Sequence, residues 1–342
     1  MEKLKFAILG CGRISYKHIE AIINNSDDCK LVALCDLIEE RAEQRRDQYM
    51  EFDKNCDIKI YTDYKKMLAD EDLDAVVIAT ESGYHGKQAI DILNSGHHVI
   101  IEKPMALDLK EIDEINRISD ETGLKVCVSH QNRFNRPIQK LKRALNDGRF
   151  GKIINGTARI LWTRDQNYYD MAPWRGTRAL DGGTLMNQGI HNIDLLLWMM
   201  DSEVVSVKAE LGTYLRDIEM EDFGALLLRF ANGAVGIIEG SACVYPKNLE
   251  ETLSIFGENG TAVIGGLAVN KIETWNFADK KYYDNPETKD DIDNVYGNGH
   301  TPLYKDFIES IREDRKPLID GHEGKKPVEV ILKAYEESYN GE

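Results

Sequence analysis

A lysine follows an apolar run in Val99-Ile100-Ile101-Glu102-Lys103-Pro104, and a histidine stands four residues after an asparagine in Asn187-Gln188-Gly189-Ile190-His191-Asn192-Ile193-Asp194. An amine whose pKa is lowered by burial and neighbours can take the hydroxyl proton of an alcohol while hydride leaves the carbon. Pro104 restricts Lys103 to an extended backbone, which would aim its amine outward from the end of a strand. Asn187, His191 and Asp194 fall at helical spacing and are expected on one face. There His191 could relay a proton and Asn187 could orient a hydroxyl. Gly182-Gly183, just upstream, would let the backbone approach a neighbour closely. The plainer alternatives are a solvated surface lysine and a histidine satisfied within a core.

A second set lies in Tyr168-Tyr169-Asp170-Met171-Ala172-Pro173-Trp174-Arg175-Gly176-Thr177. Aromatic rings offer stacking faces to a sugar or base. Arg164 and Arg175 could each hold a carboxylate or phosphate through a bidentate pair. Alternatively these residues only anchor a long loop.

Gly10-Cys11-Gly12-Arg13-Ile14-Ser15 follows the first apolar run and opens a helical pattern. The first glycine suits a tight turn, and the second lets the backbone approach a pyrophosphate seated on the helix N-terminus. Ser15 stands where Gly or Ala is usual and is small enough to keep helix and sheet close. Asp36, at the end of the next run, can accept both adenosine-ribose hydroxyls and would repel a 2′-phosphate. Leu37-Ile38-Glu39-Glu40 supply no cation to hold one, so NAD is expected over NADP. The competing role for Asp36 is that of an N-cap for the following helix.

These residues need a sheet to position them. Near-continuous apolar runs at 6–9, 31–35, 75–79, 99–101 and 126–128 alternate with helical patterns at 18–24, 41–50, 85–94 and 109–122. That order predicts an α/β fold with a doubly wound parallel sheet, a Rossmann domain over residues 1–130. From about Gly151 strand-like runs follow one another at 153–162, 204–211, 223–230, 234–241, 251–256, 261–264 and 271–277, with Asn232-Gly233 and Glu258-Asn259-Gly260 as turns. Residues 131–342 are therefore expected to form an α+β domain with a large, mostly antiparallel open sheet. Helices are expected at 187–200, 302–313 and 325–339, and a polar loop at 280–299.

The bulk numbers agree. A chain of 342 residues exceeds one core. A net charge of −16 disfavours nucleic acid and anionic membranes as partners, and no basic recognition helix points to a DNA-binding regulator. Six cysteines without a Cys-x-x-Cys pair read as thiols of a reducing compartment. With no leader ahead of the first strand and no run of membrane-spanning length, a cytoplasmic protein is expected. Scattered histidines predict no metal site.

In order along the chain, Gly10 to Ser15, Asp36, residues 80–85, Glu102-Lys103-Pro104, Gln131-Asn132-Arg133-Phe134 and Asn187-x-x-x-His191-x-x-Asp194 resemble the Gfo/Idh/MocA oxidoreductases across essentially the whole sequence. The resemblance implies that Lys103 and His191 are catalytic. It implies that Gly10, Gly12, Arg13, Ile14, Asp36, Thr80, His85, Glu102, Lys103, Gln131, Trp174 and Arg175 line the NAD site. Arg164, Tyr169, Arg175 and Asn187 would meet the substrate beside Lys103 and His191, and copies would assemble as dimers or tetramers through the open sheet. Two departures stand out: many members carry Asp where this chain has Asn187, and the common Pro-Asn after Thr80 is Glu81-Ser82. The loop at 168–177 with Asn187 to His191 is similar to the branch that oxidises C3 of UDP-N-acetylglucosaminuronate for surface-polysaccharide sugars. A dehydrogenase of a free sugar or inositol is the alternative within the family, and a non-catalytic NAD-binding sensor the alternative outside it.

Overall fold

A computed structural model describes residues 2–284, 289, 290, 292 and 294–339. The chain forms two compact units, one taking it to His130 together with His300–Lys325, the other taking Gln131–Gly299 and the chain from Lys326 onward.

The first unit is built on six parallel strands, β1 Leu4–Leu9, β2 Cys29–Cys35, β3 Lys59–Tyr61, β4 Ala75–Ile78, β5 His98–Ile101 and β6 Val126–Val128, in the order β3-β2-β1-β4-β5-β6. The helices between them are α1 Ser15–Asn24, α2 Glu39–Met50, α3 Tyr64–Asp70, α4 Ser82–Asn94 and α5 Leu109–Thr122. The central strands are buried on both faces, which is why their sequences are apolar without alternation. The sequence reading missed β3, because Lys59-Ile60-Tyr61 is a short edge strand with one exposed and two half-buried residues. The order reverses between β1 and β4, and ligands of such sheets bind at the carboxyl ends beside that switch point.

The second unit holds a seven-stranded sheet of β7 Ile153–Leu161, β8 Val204–Gly212, β9 Phe223–Phe230, β10 Val235–Ser241, β11 Glu250–Gly257, β12 Gly260–Gly265 and β13 Lys271–Phe277. Its order is β13-β12-β11-β7-β10-β9-β8, antiparallel except for β7 beside β10. Helices α6 Arg136–Asn146, α7 Gln166–Asp170 and α8 Ile190–Met200 belong to this unit. Leu196 and Met200 of α8 pack onto Gly156 and Ile255, covering one face. The opposite face exposes Leu227 and Ile237, paired across β9 and β10.

The remaining helices are α9 His300–Arg312 and α10 Gly321–Tyr339. The sequence reading gave all of 131–342 to the second domain, whereas His300–Lys325 returns to the first unit. The cause is packing: the Tyr304 ring lies 5.7 Å from Phe6 of β1 and is fully buried, and Ile319 O accepts from Val128 N at 2.9 Å. The expected loop at 280–299 lies partly outside the described residues. Among the described residues no helix is long and apolar enough to cross a membrane.

Candidate active site

In the first unit the turn after β1 has the geometry its glycines imply. Gly10 has φ +93°, and a Cβ there would stand 2.5 Å from the carbonyl carbon of Ala79. Among the described residues a Cβ at Gly12 would meet nothing within 4 Å, so their packing does not require glycine there, and the backbone can be approached closely by a ligand. Helix α1 has no side-chain cap and no acid in its first turn, leaving its N–H groups and dipole for an anion. Arg13 is exposed at this turn and Ile14 half-buried. Asp36 accepts from Cys11 N at 2.7 Å and from Ile38 N at 2.9 Å, which fixes its carboxylate under the turn with lone pairs left for ribose hydroxyls. It does not cap α2, whose N-cap is Ile38. These residues fit a dinucleotide with an unphosphorylated ribose.

Lys103, half-buried, follows β5 at the same end of the sheet. The turn it enters is held by His85, whose Nδ1 lies 2.8 Å from Pro104 O and Nε2 3.1 Å from Thr80 O. The sequence reading placed His85 against the cofactor. It is instead 1 % exposed, spent on joining the loops after β4 and β5, and burial lowers its pKa so that the neutral ring is favoured. Thr80, half-buried, donates its hydroxyl to Gln88 at 2.6 Å.

Glu102 has partners that the sequence did not announce. His18 Nε2 lies 3.1 Å from Glu102 Oε1, its Nδ1 lies 2.9 Å from Tyr304 OH, and His300 Nε2 stands 3.6 Å from the same Glu102 oxygen. Burial alone would push the Glu102 pKa up, but the facing imidazoles outweigh it and hold the carboxyl well below the usual carboxylate range. These three groups lie within 4.8 Å of one another, close enough to close on a cation. The hydrogen bond and the facing charge already account for their placement. The sequence signal was slight, since His18 lies on α1 far from Glu102 and His300 almost two hundred positions further on.

In the second unit the residues 185–189 form a π-helical turn that leads into α8. A π turn is wider than an α turn, so Asn187 stands on a revolution that helical spacing does not describe, whereas His191 and Asp194 keep that spacing within α8. Asn187 and His191 are half-buried. Asp194 is buried and bonds Arg133 bidentately, at 2.8 and 2.7 Å, with the guanidinium 5.0 Å over the Trp198 ring. The Asp194 of the motif therefore anchors its helix. Gln131, expected at the cofactor, is 4 % exposed with its backbone carbonyl packed against Gly299.

The 168–177 loop gathers around one ring. Arg175 stacks on Tyr168 at 4.2 Å and on Trp174 at 4.6 Å, and Arg164 stacks on Tyr168 at 5.2 Å and on Trp162 at 4.7 Å. Gln188 donates to Tyr168 OH at 3.2 Å, tying this ring to the π turn. Tyr169, expected at the substrate, is buried beneath: its ring meets Tyr168 edge-on at 5.2 Å and packs under Gly176. Asp181, which the sequence reading did not single out, accepts from Gly176 N at 2.6 Å and from Asn187 Nδ2.

Comparison with known proteins agrees with this architecture. Residues 4–130 match the description "Oxidoreductase family, NAD-binding Rossmann fold", and residues 138–263 match "GFO/IDH/MocA C-terminal domain". The WlbA dehydrogenase of Bordetella pertussis, solved with NADH and UDP-GlcNAcA, is 38% identical over 100% of this chain and 98% of its own, with a TM-score of 0.89. Its counterpart from Chromobacterium violaceum, solved with the same two ligands, is 35% identical over 100% and 95%, with a TM-score of 0.91. The scyllo-inositol 2-dehydrogenase (NAD(+)) of Bacillus subtilis is 26% identical over 99% of this chain and 95% of its own. The chain thus belongs to the GFO/IDH/MocA oxidoreductases, as an NAD-binding member of a family of sugar and polyol dehydrogenases.

Proposed function

We propose that the protein oxidises the C3 hydroxyl of UDP-N-acetylglucosaminuronic acid, a step toward surface-polysaccharide sugars. The observation that carries this reading is the stacking of two guanidinium groups, Arg164 and Arg175, on the single ring of Tyr168. Two fixed cations suit a ligand with a diphosphate and a uronate, whereas a neutral inositol offers them no charge. The likeness to the two WlbA dehydrogenases, at 38% and 35% identity, supports the same choice over the inositol dehydrogenases at 25–26%.

NAD⁺, when bound, supplies the hydride acceptor. Lys103 takes the C3 hydroxyl proton as the C–H bond breaks, and His191 passes that proton onward. Asn187 orients the hydroxyl, and one or both arginines bind the uronate. Glu102 is held as a carboxylate directly before Lys103 by His18 and His300. We place assembly of copies on the outer sheet face bearing Leu227 and Ile237, which light scattering of the wild type and of Leu227→Glu would check.

The test is absorbance of NADH with purified protein, NAD⁺ and UDP-N-acetylglucosaminuronate, repeated with 2-oxoglutarate to detect recycling of the cofactor. Turnover in the wild type, lost in Lys103→Ala while that variant still binds NAD by calorimetry, supports the reading. Turnover of free sugars or inositols but not of the nucleotide sugar would overturn the substrate. Full biological effect from Lys103→Ala would overturn the catalytic role.

A further inference from the structure

We infer that Asp181 is a positioning residue that fixes which end of the Asn187 amide meets the substrate. The inference rests on the proposed placement of Asn187 at the sugar and adds the group that sets its chemistry. Asp181 is 1 % exposed, so water does not compete for its oxygens. One of them accepts from the backbone N–H of Gly176, at 2.6 Å, and the other from Asn187 Nδ2.

The first bond fixes the carboxylate, because a backbone N–H cannot change its polarity. The second follows from chemistry: a carboxylate only accepts, so the asparagine must turn its NH₂ toward it. The amide oxygen is then the end directed away from Asp181. An oxygen acceptor recognises a hydroxyl donor, which suits a sugar ring carbon bearing O–H and disfavours a carboxylate or phosphate at that spot. The Gly176 bond also joins the loop carrying Arg175 to the turn carrying Asn187, so one side chain sets both.

This arrangement makes a strong statement about which residues are tolerated. In Asp181→Asn the oxygen of the new amide must stay on Gly176 N, so its NH₂ faces Asn187. Asn187 then flips, and the substrate meets a donor in place of an acceptor. In Asn187→Asp two carboxylates face each other within bonding distance, where they repel or share a proton. In the double variant Asp181→Asn/Asn187→Asp the bond from Gly176 N keeps its direction and the bond between 181 and 187 is restored with its direction reversed. The amide introduced at position 181 keeps Gly176 N and donates to the carboxylate introduced at 187, whose other oxygen again offers an acceptor.

The experiment is a double-mutant cycle in steady-state kinetics on whichever sugar the wild type oxidises. Each single variant is expected to lose about 10-fold or more in kcat/KM for the sugar with the KM for NAD⁺ unchanged, and the double variant to recover to within about threefold of wild type. Wild-type kinetics in Asp181→Asn, or a double variant no better than the poorer single, overturns the inference. The identity of the sugar does not enter this outcome: a wild type that oxidises only inositols defeats the uronate reading and leaves the cycle intact. For a wild type with no measurable turnover, the same cycle is read in thermal midpoints, where absence of coupling between 181 and 187 overturns the pairing. Reciprocal rescue of kcat/KM is the readout that a merely structural aspartate would not give.

Discussion

Gly183 and Glu221 occupy adjoining space so closely that a Cβ on Gly183 would stand 2.0 Å from Glu221 Oε2. The glycine has φ +98°, and the same carboxyl accepts from Leu185 N at 2.9 Å at the start of the π turn. The Glu221 side chain therefore braces the segment that carries Asn187 and His191. Gly183→Ala is expected to destabilise by about 1–3 kcal/mol through overpacking, besides the strain of a left-handed backbone. Thermal unfolding would show a lowered midpoint. An unchanged midpoint would mean that Glu221 yields without cost.

The two stacked arginines should separate sugar binding from cofactor binding. Arg164→Gln and Arg175→Gln are each expected to raise the KM for a uronate substrate about 10-fold, with the KM for NAD⁺ unaltered. A double variant with an unchanged Michaelis constant would remove the arginines from the site. Gln keeps much of the stem that packs on Tyr168, so the loss reports charge more than shape.

Breaking the buried pair between Arg133 and Asp194 should be costly, since each side chain is only 1% exposed. Asp194→Asn removes the carboxylate charge that Arg133 bonds bidentately in a dry site, at a cost of about 3–5 kcal/mol. Chemical denaturation measures this directly. A loss under about 1 kcal/mol, the worth of an exposed pair, would show that water reaches the site.

The pH dependence of stability should follow Glu251. Burial pushes its pKa up from 4.5 to about 8, and Asn132 Nδ2, at 3.5 Å, is the donor near it. The folded protein therefore holds this proton over a range in which the unfolded chain has released it. The stabilisation is complete below 4.5 and is lost as pH rises through about 8. Glu251→Gln keeps the shape without the titration, so its midpoint should exceed the wild type's more at about pH 8.5 than at about pH 5. A constant difference would show that Glu251 is not the titrating group. Glu221, also raised to about 8 by burial, titrates in the same direction in both proteins and cancels in the comparison.

Apart from the edge strand β3, the strands of both sheets were legible in the sequence to within a residue or two, because apolar runs and turn residues are local signals. The fingerprint at Gly10 and Gly12 and the acid at Asp36 were legible for the same reason. What escaped was set by distance in the chain. Nothing near Glu102 points to His18 or His300, and nothing near Asn187 marks Asp181 above any other acid. The π turn escaped because helical spacing assumes about 3.6 residues per turn, and the bond from Arg133 to Asp194 escaped because it joins residues 61 apart in the chain. His85 was expected at the cofactor from the family resemblance, and Tyr169 at the substrate from the aromatic loop it stands in. Both are buried instead, His85 joining the loops at Thr80 and Pro104 and Tyr169 lying against Tyr168.

The return of His300–Lys325 to the first unit has a consequence for synthesis. Phe6 leaves the ribosome well ahead of its partner Tyr304, which emerges only after the whole of the second sheet. Until then the nascent nucleotide-binding half presents an uncovered apolar flank, with Glu102 lacking the imidazole of His300. Both units thus close late, the first with His300–Lys325 and the second with the chain from Lys326 onward, and a ribosome stalled before residue 300 would hold a chain suited to chaperone capture.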